Sequence, residues 1–157
     1  MEHQYNRAID VKLLADGDQA LLARVAGGVF DHDIDPRYAL EFLRDPRHHI
    51  AVAVEGGVVV GFASAVHYVH PDKGPEMWVN EVSVAPSHQG RGIGSAVLSA
   101  LLEHCRKLGC AEAWVLADRE NAPAMRLYSS LGGEQAPIDS VMFTFRFKAG
   151  ADSKAHS

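Results

Sequence analysis

Three glycines alternate in the segment QGRGIG, residues 89–94. The segment lies between a predicted strand that Pro86 ends and a stretch, Gly92 to Leu108, whose apolar residues recur at helical spacing. Backbone N–H groups at the start of a helix lack intrahelical acceptors, and the helix dipole places about half a positive charge there. Glycines leave the backbone bare for a phosphate, and Arg91 adds a charged donor. The segment therefore predicts a diphosphate-binding loop, the alternative being a flexible turn.

Two familiar phosphate motifs fit this loop poorly. A P-loop requires Lys followed by Ser or Thr after its glycines, and no such pair follows Gly94, so nucleotide hydrolysis is not expected. A dinucleotide fingerprint read from Gly90 would place Ser95 at its third small position, and it normally occurs in the first βα unit of a chain. A nicotinamide or flavin protein stays open as a weaker hypothesis.

The predicted elements around this loop form one α/β domain. Hydrophobic residues make up 47% of the chain and charged residues 22%, as in ordinary globular domains, and no repeat or linker divides it. We predict strands at residues 7–15, 48–55, 58–69, 78–85, 111–117 and 140–147. We predict helices at residues 19–26, 36–44 and 92–108, and a fourth from Asn121 to the glycine pair at 132–133. The strands on either side of the long helix are expected to be parallel, as in a βαβ unit.

Two sequence motifs occur in order along the chain. The first is Gln-x-x-Gly-x-Gly at Gln89, Gly92 and Gly94, which follows a strand ending VSVAP at residues 82–86. The second is the pattern N-x-x-A-x-x-L-Y-x-x-L-G, which runs from Asn121 to Gly132. Together they resemble two motifs of the GCN5-related N-acetyltransferases, the GNAT superfamily.

The resemblance implies a mixed α/β fold in a single domain, residues 1–147, with about four helices and a sheet of about six to seven strands. The sheet is expected to splay after its fourth strand and to admit the pantetheine arm of acetyl-CoA there. Residues 148–157 are expected to form a flexible tail. The implied cofactor-binding residues are Val82, Ser83, Val84, Gln89, Gly90, Arg91, Gly92, Ile93, Gly94, Ser95 and Asn121.

Acetyl transfer to an amine requires a base, because an amine with a pKa near 10.4 is almost fully charged at pH 7. Strand alternation predicts that Glu81 shares a face with Val79 and Ser83, beside the glycine loop. We therefore predict Glu81 as the general base, acting directly or through a water. The alternative is a solvated or salt-bridged glutamate.

The thiolate that leaves also needs a proton, and Tyr128 is the predicted acid. It follows Asn121 by seven residues, two helical turns, so both side chains can face the cofactor. The alternative is a tyrosine that packs in the core. Direct transfer is expected, because Cys105 and Cys110 have no base nearby in the sequence to make either a nucleophile.

Within the superfamily the chain is most similar to the type I aminoglycoside 3-N-acetyltransferases, the gentamicin-resistance group. The likeness covers the strand run from Ala51 to Pro71, the strand WVNEVSVAP with Glu81, and the late Val141-Met142-Phe143. It implies an aminoglycoside acceptor. A polyamine, an amino acid and a protein N-terminal amine are the other acceptors considered.

Charge also favours a cationic partner, because the chain has a formal net charge of -5. Asp31, Asp33 and Asp35 form an acidic loop that we predict to contact the amine substrate, the alternative being a solvated loop. A non-catalytic acyl-CoA sensor would keep the glycine loop but need neither Glu81 nor Tyr128.

The remaining expectations are exclusions. The net charge argues against a basic surface for nucleic acid, and no apolar run is long enough to span a membrane or resembles a secretion signal. We expect a cytoplasmic protein with reduced cysteines, and the sequence is compatible with a homodimer. We predict no metal site, because neither His48 with His49 nor His67 with His70 is spaced to chelate from one strand.

Overall fold

The computed structural model describes residues 8–148 as one mixed sheet with helices on both of its faces. The strands are β1 (Asp10–Leu13), β2 (His48–Glu55), β3 (Val58–His70), β4 (Lys73–Val84) and β5 (Glu112–Val115). The helices are α1 (Gln19–Leu22), α2 (Pro36–Arg44), α3 (Ile93–Lys107) and α4 (Ala122–Ser130). The sheet order follows the chain, with antiparallel pairs from β1 to β4 and a parallel β4–β5 pair. The predicted α/β class and the parallel pair are confirmed.

Each face of the sheet carries its own apolar core. On one face α3 packs its residues Val97, Leu101 and Cys105 against small residues of β2 and β3, of which Ala51 and Ala63 are examples. On the other face the helices α1 and α2 and the loop between them cover larger side chains, namely Leu22, Val29, Leu43, Ile50, Val52, Val59 and Phe62. Small residues under α3 let this long helix lie close to the sheet.

A bulge divides strand β4. Glu81 pairs with Ser64 of β3 and Val79 pairs with Ala65, so Asn80 is an extra residue with no partner of its own. Such a bulge bends a strand and increases its local twist. Strand β5 pairs with β4 only from Glu76 to Val79, and no β5 residue is paired with β4 beyond the bulge. The sheet therefore opens after the fourth strand, as the resemblance implied.

The predicted strand at residues 140–147 is wrong. In the structure this segment belongs to no strand or helix, and its odd-numbered residues Val141, Phe143, Phe145 and Phe147 are 78%, 79%, 80% and 90% exposed. The apolar residues do alternate in this segment, but a β-strand forms only where a neighbouring strand supplies backbone hydrogen bonds. The sheet of the described residues consequently has five strands instead of six to seven.

Two smaller predictions also need correction. Helix α1 ends at Leu22 instead of residue 26, because the chain then turns so that Val25 can bridge to Val59 of β3. Strand β4 starts at Lys73, five residues before the predicted start, because β3 and β4 form one long hairpin. Of the predicted tail, only Lys148 lies within the described residues.

Candidate active site

The glycine loop leads into α3 as predicted. Gly90 and Gly92 have φ values of 76° and 77°, a left-handed backbone that favours glycine. Gly92 is the N-cap of α3 and provides no side chain, and the first helical bond runs from the Ala96 N–H to the Gly92 carbonyl. The N–H groups of residues 93–95 therefore precede the helical ladder and are placed to donate to an anion.

The start of α3 meets β4 and α4 at one point. A Cβ atom built on Gly94 would lie 3.6 Å from Leu127 Cδ2 of α4. It would lie 3.7 Å from Val84 Cγ2 and 4.0 Å from Val82 Cγ1, both on the half of β4 that pairs with β3 but not with β5. The structure thus brings the glycine loop, the open half of β4 and the second motif together at the gap between β4 and β5.

Two polar side chains of the loop have protein partners. Arg91 donates to Glu55 at 3.2 Å, and Gln89 lies 3.5 Å from the carbonyl of Val84. Glu55 Oε1 also lies 3.4 Å from His88 Nε2. Burial raises the pKa of the Glu55 carboxyl, but the hydrogen bond from His88 and the charge of Arg91 lower it by more, so that the net pKa is below the usual value. Arg91 is therefore held over the β2–β3 hairpin, and it would have to leave Glu55 to bind a phosphate.

Helix α4 carries the other two predicted residues. The Asn121 side chain accepts a hydrogen bond from the Ala124 N–H at 3.2 Å and caps the helix, so its oxygen is already used. Tyr128 is half-buried against the α3 core. Burial raises the pKa of its hydroxyl above the usual value, so the phenol is protonated at neutral pH and can donate a hydrogen bond.

Glu81 shares a face with Ser83, as predicted, but not with Val79, and that face does not lie beside the glycine loop. Because Asn80 is an extra residue, the alternation shifts by one, and Val79, Val82 and Val84 all pack on the α3 side. Glu81 and Ser83 instead point to the side of α1 and α2. The Ser83 hydroxyl donates to the Val29 carbonyl at 2.7 Å, so only the backbone of Ser83 can reach a cofactor in the gap.

A pocket of about 370 Å³ lies on this second face, next to Glu81. Its floor is apolar and includes Phe30 and Phe62, whose rings stack with centroids 4.1 Å apart. Ser64 and Asn80 line it as well, and both were missed from the sequence. The only available signal was the polar character of these residues within apolar strands, which does not reveal a bulge.

All three aspartates of the acidic loop line the same pocket. Asp31 and Asp33 are exposed, whereas Asp35 caps α2 by accepting from the Arg37 N–H at 2.9 Å. Hydrogen bonds from the Arg37 guanidinium and backbone lower the pKa of Asp35 to about 2. Asp35 is therefore ionised, and its charge is balanced by Arg37. The acidic groups left for a cation are Asp31, Asp33 and Glu81.

Three histidine side chains that are far apart in the sequence lie in contact with one another. The His49 ring lies between the other two, with Nε2 at 2.7 Å from His67 Nδ1 and Nδ1 at 3.1 Å from His104 Nε2. They belong to β2, β3 and α3, so no local pattern could reveal them. Within residues 8–148, no group of three or more His, Cys, Asp or Glu side chains is arranged to hold a metal ion.

The cysteines lie away from the pocket. Both are free thiols, and Cys105 is buried on the side of α3 that faces the sheet. Burial, followed by its contact with Cys110, raises the pKa of Cys105 to about 12. Such a thiol is not a nucleophile at neutral pH.

Comparison with known proteins agrees with this geometry. The model of the acetyltransferase (GNAT) family matches residues 20–132, which include the glycine loop, β4 and α4. The chain belongs to the GNAT acetyltransferase family. It is 36% identical over 137 residues to a mycothiol acetyltransferase of Thermomonospora curvata, an alignment covering 80% of this chain and 43% of that protein. Within the described residues of this family member, no helix is long and apolar enough to cross a membrane.

Solved structures show the same fold. An aminoglycoside acetyltransferase from an uncultured soil metagenomic sample, in complex with sisomicin, superposes with a TM-score of 0.76 at 22% identity, covering 89% of this chain and 97% of that one. The aminoglycoside N-acetyltransferase AAC(6')-Iy in complex with CoA has a TM-score of 0.70 at 21% identity, covering 92% and 99%. This GNAT chain spans less than half the length of its T. curvata relative, 43%.

Proposed function

We propose that this GNAT chain transfers an acetyl group from acetyl-CoA directly to a primary amine of a small cationic acceptor. One observation supports the proposal above the others. The half of β4 that does not pair with β5 has the glycine loop and α4 on one side, and on the other side its Glu81 lines a pocket with acidic residues at the rim. A single short segment thus separates a site for a diphosphate from a site for an amine.

The proposed residues divide the proton transfers. Glu81 takes one proton of the ammonium group, and the freed nitrogen forms a bond to the thioester carbonyl carbon. As the carbon–sulfur bond breaks, Tyr128 gives its proton to the departing thiolate and regains one from the attacking nitrogen, which leaves a neutral amide. Glu81 then releases its proton to solvent. The N–H groups at the start of α3 hold the pyrophosphate, with Gln89, Gly90, Gly92, Ile93, Gly94 and Ser95 in the loop and Asn121 nearby. Val82 and Val84 offer backbone groups on the open strand edge to the pantetheine arm.

An aminoglycoside is our first acceptor, supported by the acidic rim at Asp31 and Asp33 and by the fold of the aminoglycoside acetyltransferases. The similarity to a mycothiol acetyltransferase supports testing other acceptors as well. The stacked Phe30–Phe62 floor favours a second candidate, an amine that carries an apolar or aromatic group. Amino-acid amines with large apolar side chains belong to that class.

The decisive experiment is a thiol-release assay with acetyl-CoA and a panel of amines. We expect Glu81→Gln to lower kcat by about 10²–10⁴-fold, the usual contribution of a general base. Calorimetric affinity for CoA should be unchanged in this variant. Glu41→Gln is the matched control, because Glu41 is an exposed glutamate of α2 outside the pocket. Unaltered turnover in Glu81→Gln would rule out Glu81 as the base.

A thermal-shift screen in the presence of CoA separates the acceptor classes, because at equal concentration a ligand that binds the folded chain more tightly raises the melting temperature further. Stabilisation by aminoglycosides alone supports the first acceptor, and stabilisation by aromatic amines supports the second. CoA binding without turnover of any amine would favour the non-catalytic sensor. Failure to bind CoA at all would overturn the proposal.

A further inference from the structure

The two tryptophans of the chain, Trp78 and Trp114, lie side by side on the neighbouring strands β4 and β5 and stack face to face. Their ring centroids are 5.2 Å apart, and the ring planes differ by only 6°. Trp78 is nonetheless 38% exposed, so part of this aromatic pair remains open to solvent. Among aromatic side chains, the indole ring attracts a cation to its face most strongly.

A chain of hydrogen bonds holds the Trp114 ring in place. Its Nε1–H donates to the Tyr68 hydroxyl at 2.6 Å, and that hydroxyl donates to Glu76 Oε2 at 3.3 Å. Glu76 is buried and forms an ion pair with Lys73, whose Nζ lies 2.8 Å from Oε1. The stack is therefore preorganised, and the nearby lysine is bound to a carboxylate instead of covering the indole rings.

The tryptophan pair shares a face of the sheet with the acidic pocket. Val79 packs in the core on the α3 side, so strand alternation places Trp78, its neighbour, on the opposite face. Ser64 lines the pocket and is the β3 partner of Glu81. Val66, two residues further along β3, is the partner of Trp78. Because two residues of a strand span about 7 Å, the Trp78 ring begins next to the pocket that Glu81 lines.

The charges on both sides of the tryptophan pair favour a positively charged ligand. Asp31, Asp33 and Glu81 place acidic groups around the adjoining pocket. On the far side of the pair, Glu112 of β5 is exposed and pairs in register with Glu76. An ammonium group is attracted both by carboxylates and by the face of an indole, whereas a neutral ring gains only from contact with the indole.

We propose that Trp78, stacked on Trp114, binds a second ammonium group of the acceptor while the first one reacts beside Glu81. This inference rests on the proposed acetyl transfer and adds to it the class of acceptor, an amine with a second positive charge about 7 Å from the reacting nitrogen. Aminoglycosides and polyamines belong to that class, whereas amino-acid amines with apolar side chains do not. Trp78 is thereby a specificity-determining residue and takes no part in proton transfer.

Tryptophan fluorescence tests the proposal, because both tryptophans of the chain belong to the pair. The full chain with excess CoA is titrated with cadaverine and with kanamycin, which carry further ammonium groups. Pentylamine is the matched control, since it has the carbon chain of cadaverine but one ammonium group. We expect at least one polycation to change the emission saturably and pentylamine to leave it unchanged.

Three results of this titration would overturn the proposal. The first is an emission that neither polycation changes, even if both are acetylated. The second is an equal change with pentylamine, which would show that the pair does not respond to the second charge. The third is an emission that varies with the concentration of the chain alone, which would show that a second copy covers the pair.

Variants of Trp78 separate binding of the acceptor from chemistry. Trp78→Leu should raise KM for the polycation by about 3–10-fold, the ratio that a cation–π contact at a partly exposed site provides, with kcat unchanged. Trp78→Phe keeps an aromatic face and should recover most of the affinity. KM for pentylamine should be the same in both variants and the parent chain. Equal affinity of the two variants for the polycation would overturn the proposal.

Failure of the proposed function has a different signature. Absence of thiol release with every amine would overturn acetyl transfer, but the fluorescence titration would still show whether the pair binds a cation. Calorimetric affinities for the polycation would then replace KM in the comparison of Trp78→Leu with Trp78→Phe. Affinity for CoA, measured in both variants, verifies that they are folded.

Discussion

Both halves of strand β4 pair with β3, but they differ in burial, in their second neighbour and in their proposed role. From Glu76 to Val79 the strand is paired on both sides, and Met77 and Val79 are almost completely buried. From Glu81 to Val84 it is paired on one side only, and Glu81 is exposed to the pocket. The first half is a structural strand, whereas the second half is the edge around which the proposed cofactor and acceptor meet.

A single inserted residue separates these halves. Asn80 shifts the alternation, so that Val82 and Val84 continue the core face of Val79 while Glu81 turns to the pocket. Backbone register can thus place an acid at a site without interrupting the core. Substitutions in the first half should therefore change stability, and those in the second half should change binding or catalysis.

The largest expected effect on folding is at Met77. Because its side chain is fully buried, at 0% exposure, Met77→Ala should lower the free energy of unfolding by about 2–5 kcal/mol. Urea unfolding measures this loss, while turnover per folded molecule should stay unchanged. Met142→Ala, at a site that is 76% exposed, is the matched control and should cost less than about 0.5 kcal/mol. Glu81→Gln should show the reverse pattern, with activity lost and stability kept.

Deletion of Asn80 should affect the second half alone. Removing the extra residue leaves every other β4 side chain on its present face, so the core should survive. The strand should straighten, which would narrow the gap between β4 and β5. We expect CoA affinity to fall by about tenfold or more, measured by calorimetry, with a melting temperature close to that of the parent chain. Undiminished CoA binding would show that the bulge does not form the gap.

The smallest effect concerns the histidine chain beneath α3. Burial, followed by the charges of His104, His67 and His48, lowers the pKa of His49 to about 4, and Asp45 opposes this weakly. In the unfolded chain His49 takes up a proton near pH 6.5, whereas in the folded chain it does so only near pH 4. Stability should therefore be full above about pH 6.5 and fall as the pH drops toward 4.

Melting temperatures between pH 7 and pH 4.5 measure this dependence. His49→Gln should remove the largest part of it, because the glutamine does not titrate and can still hydrogen-bond to its neighbours. His32→Gln, at an exposed histidine of the pocket loop, should leave the slope unchanged. An identical slope in His49→Gln would assign the acid sensitivity to other groups.

Local signals predicted most of the elements. The bounds of α2 and β2 match the prediction, and those of α3 and α4 nearly do, because proline, glycine and asparagine mark helix ends by their own backbone chemistry. The turn between β2 and β3 is local as well, because Gly56 and Gly57 adopt positive φ values of 58° and 77°. The segment at 140–147 was predicted as a closing strand because alternation of apolar residues indicates an extended segment but not which strand it pairs with.

The site divides in the same way. The glycine loop and the Asn121 cap are properties of contiguous residues, and the sequence by itself determined both. The face of Glu81, the pairing of Arg91 with Glu55 and the contact among His49, His67 and His104 were decided only by the tertiary structure. The ion pair of Asp35 with Arg37 is instead local, because Asp35 is the N-cap of α2 and its partner is two residues away. Periodicity fixes directions within one element, whereas a bulge and the gap it opens arise from the register between strands, which is a property of their packing.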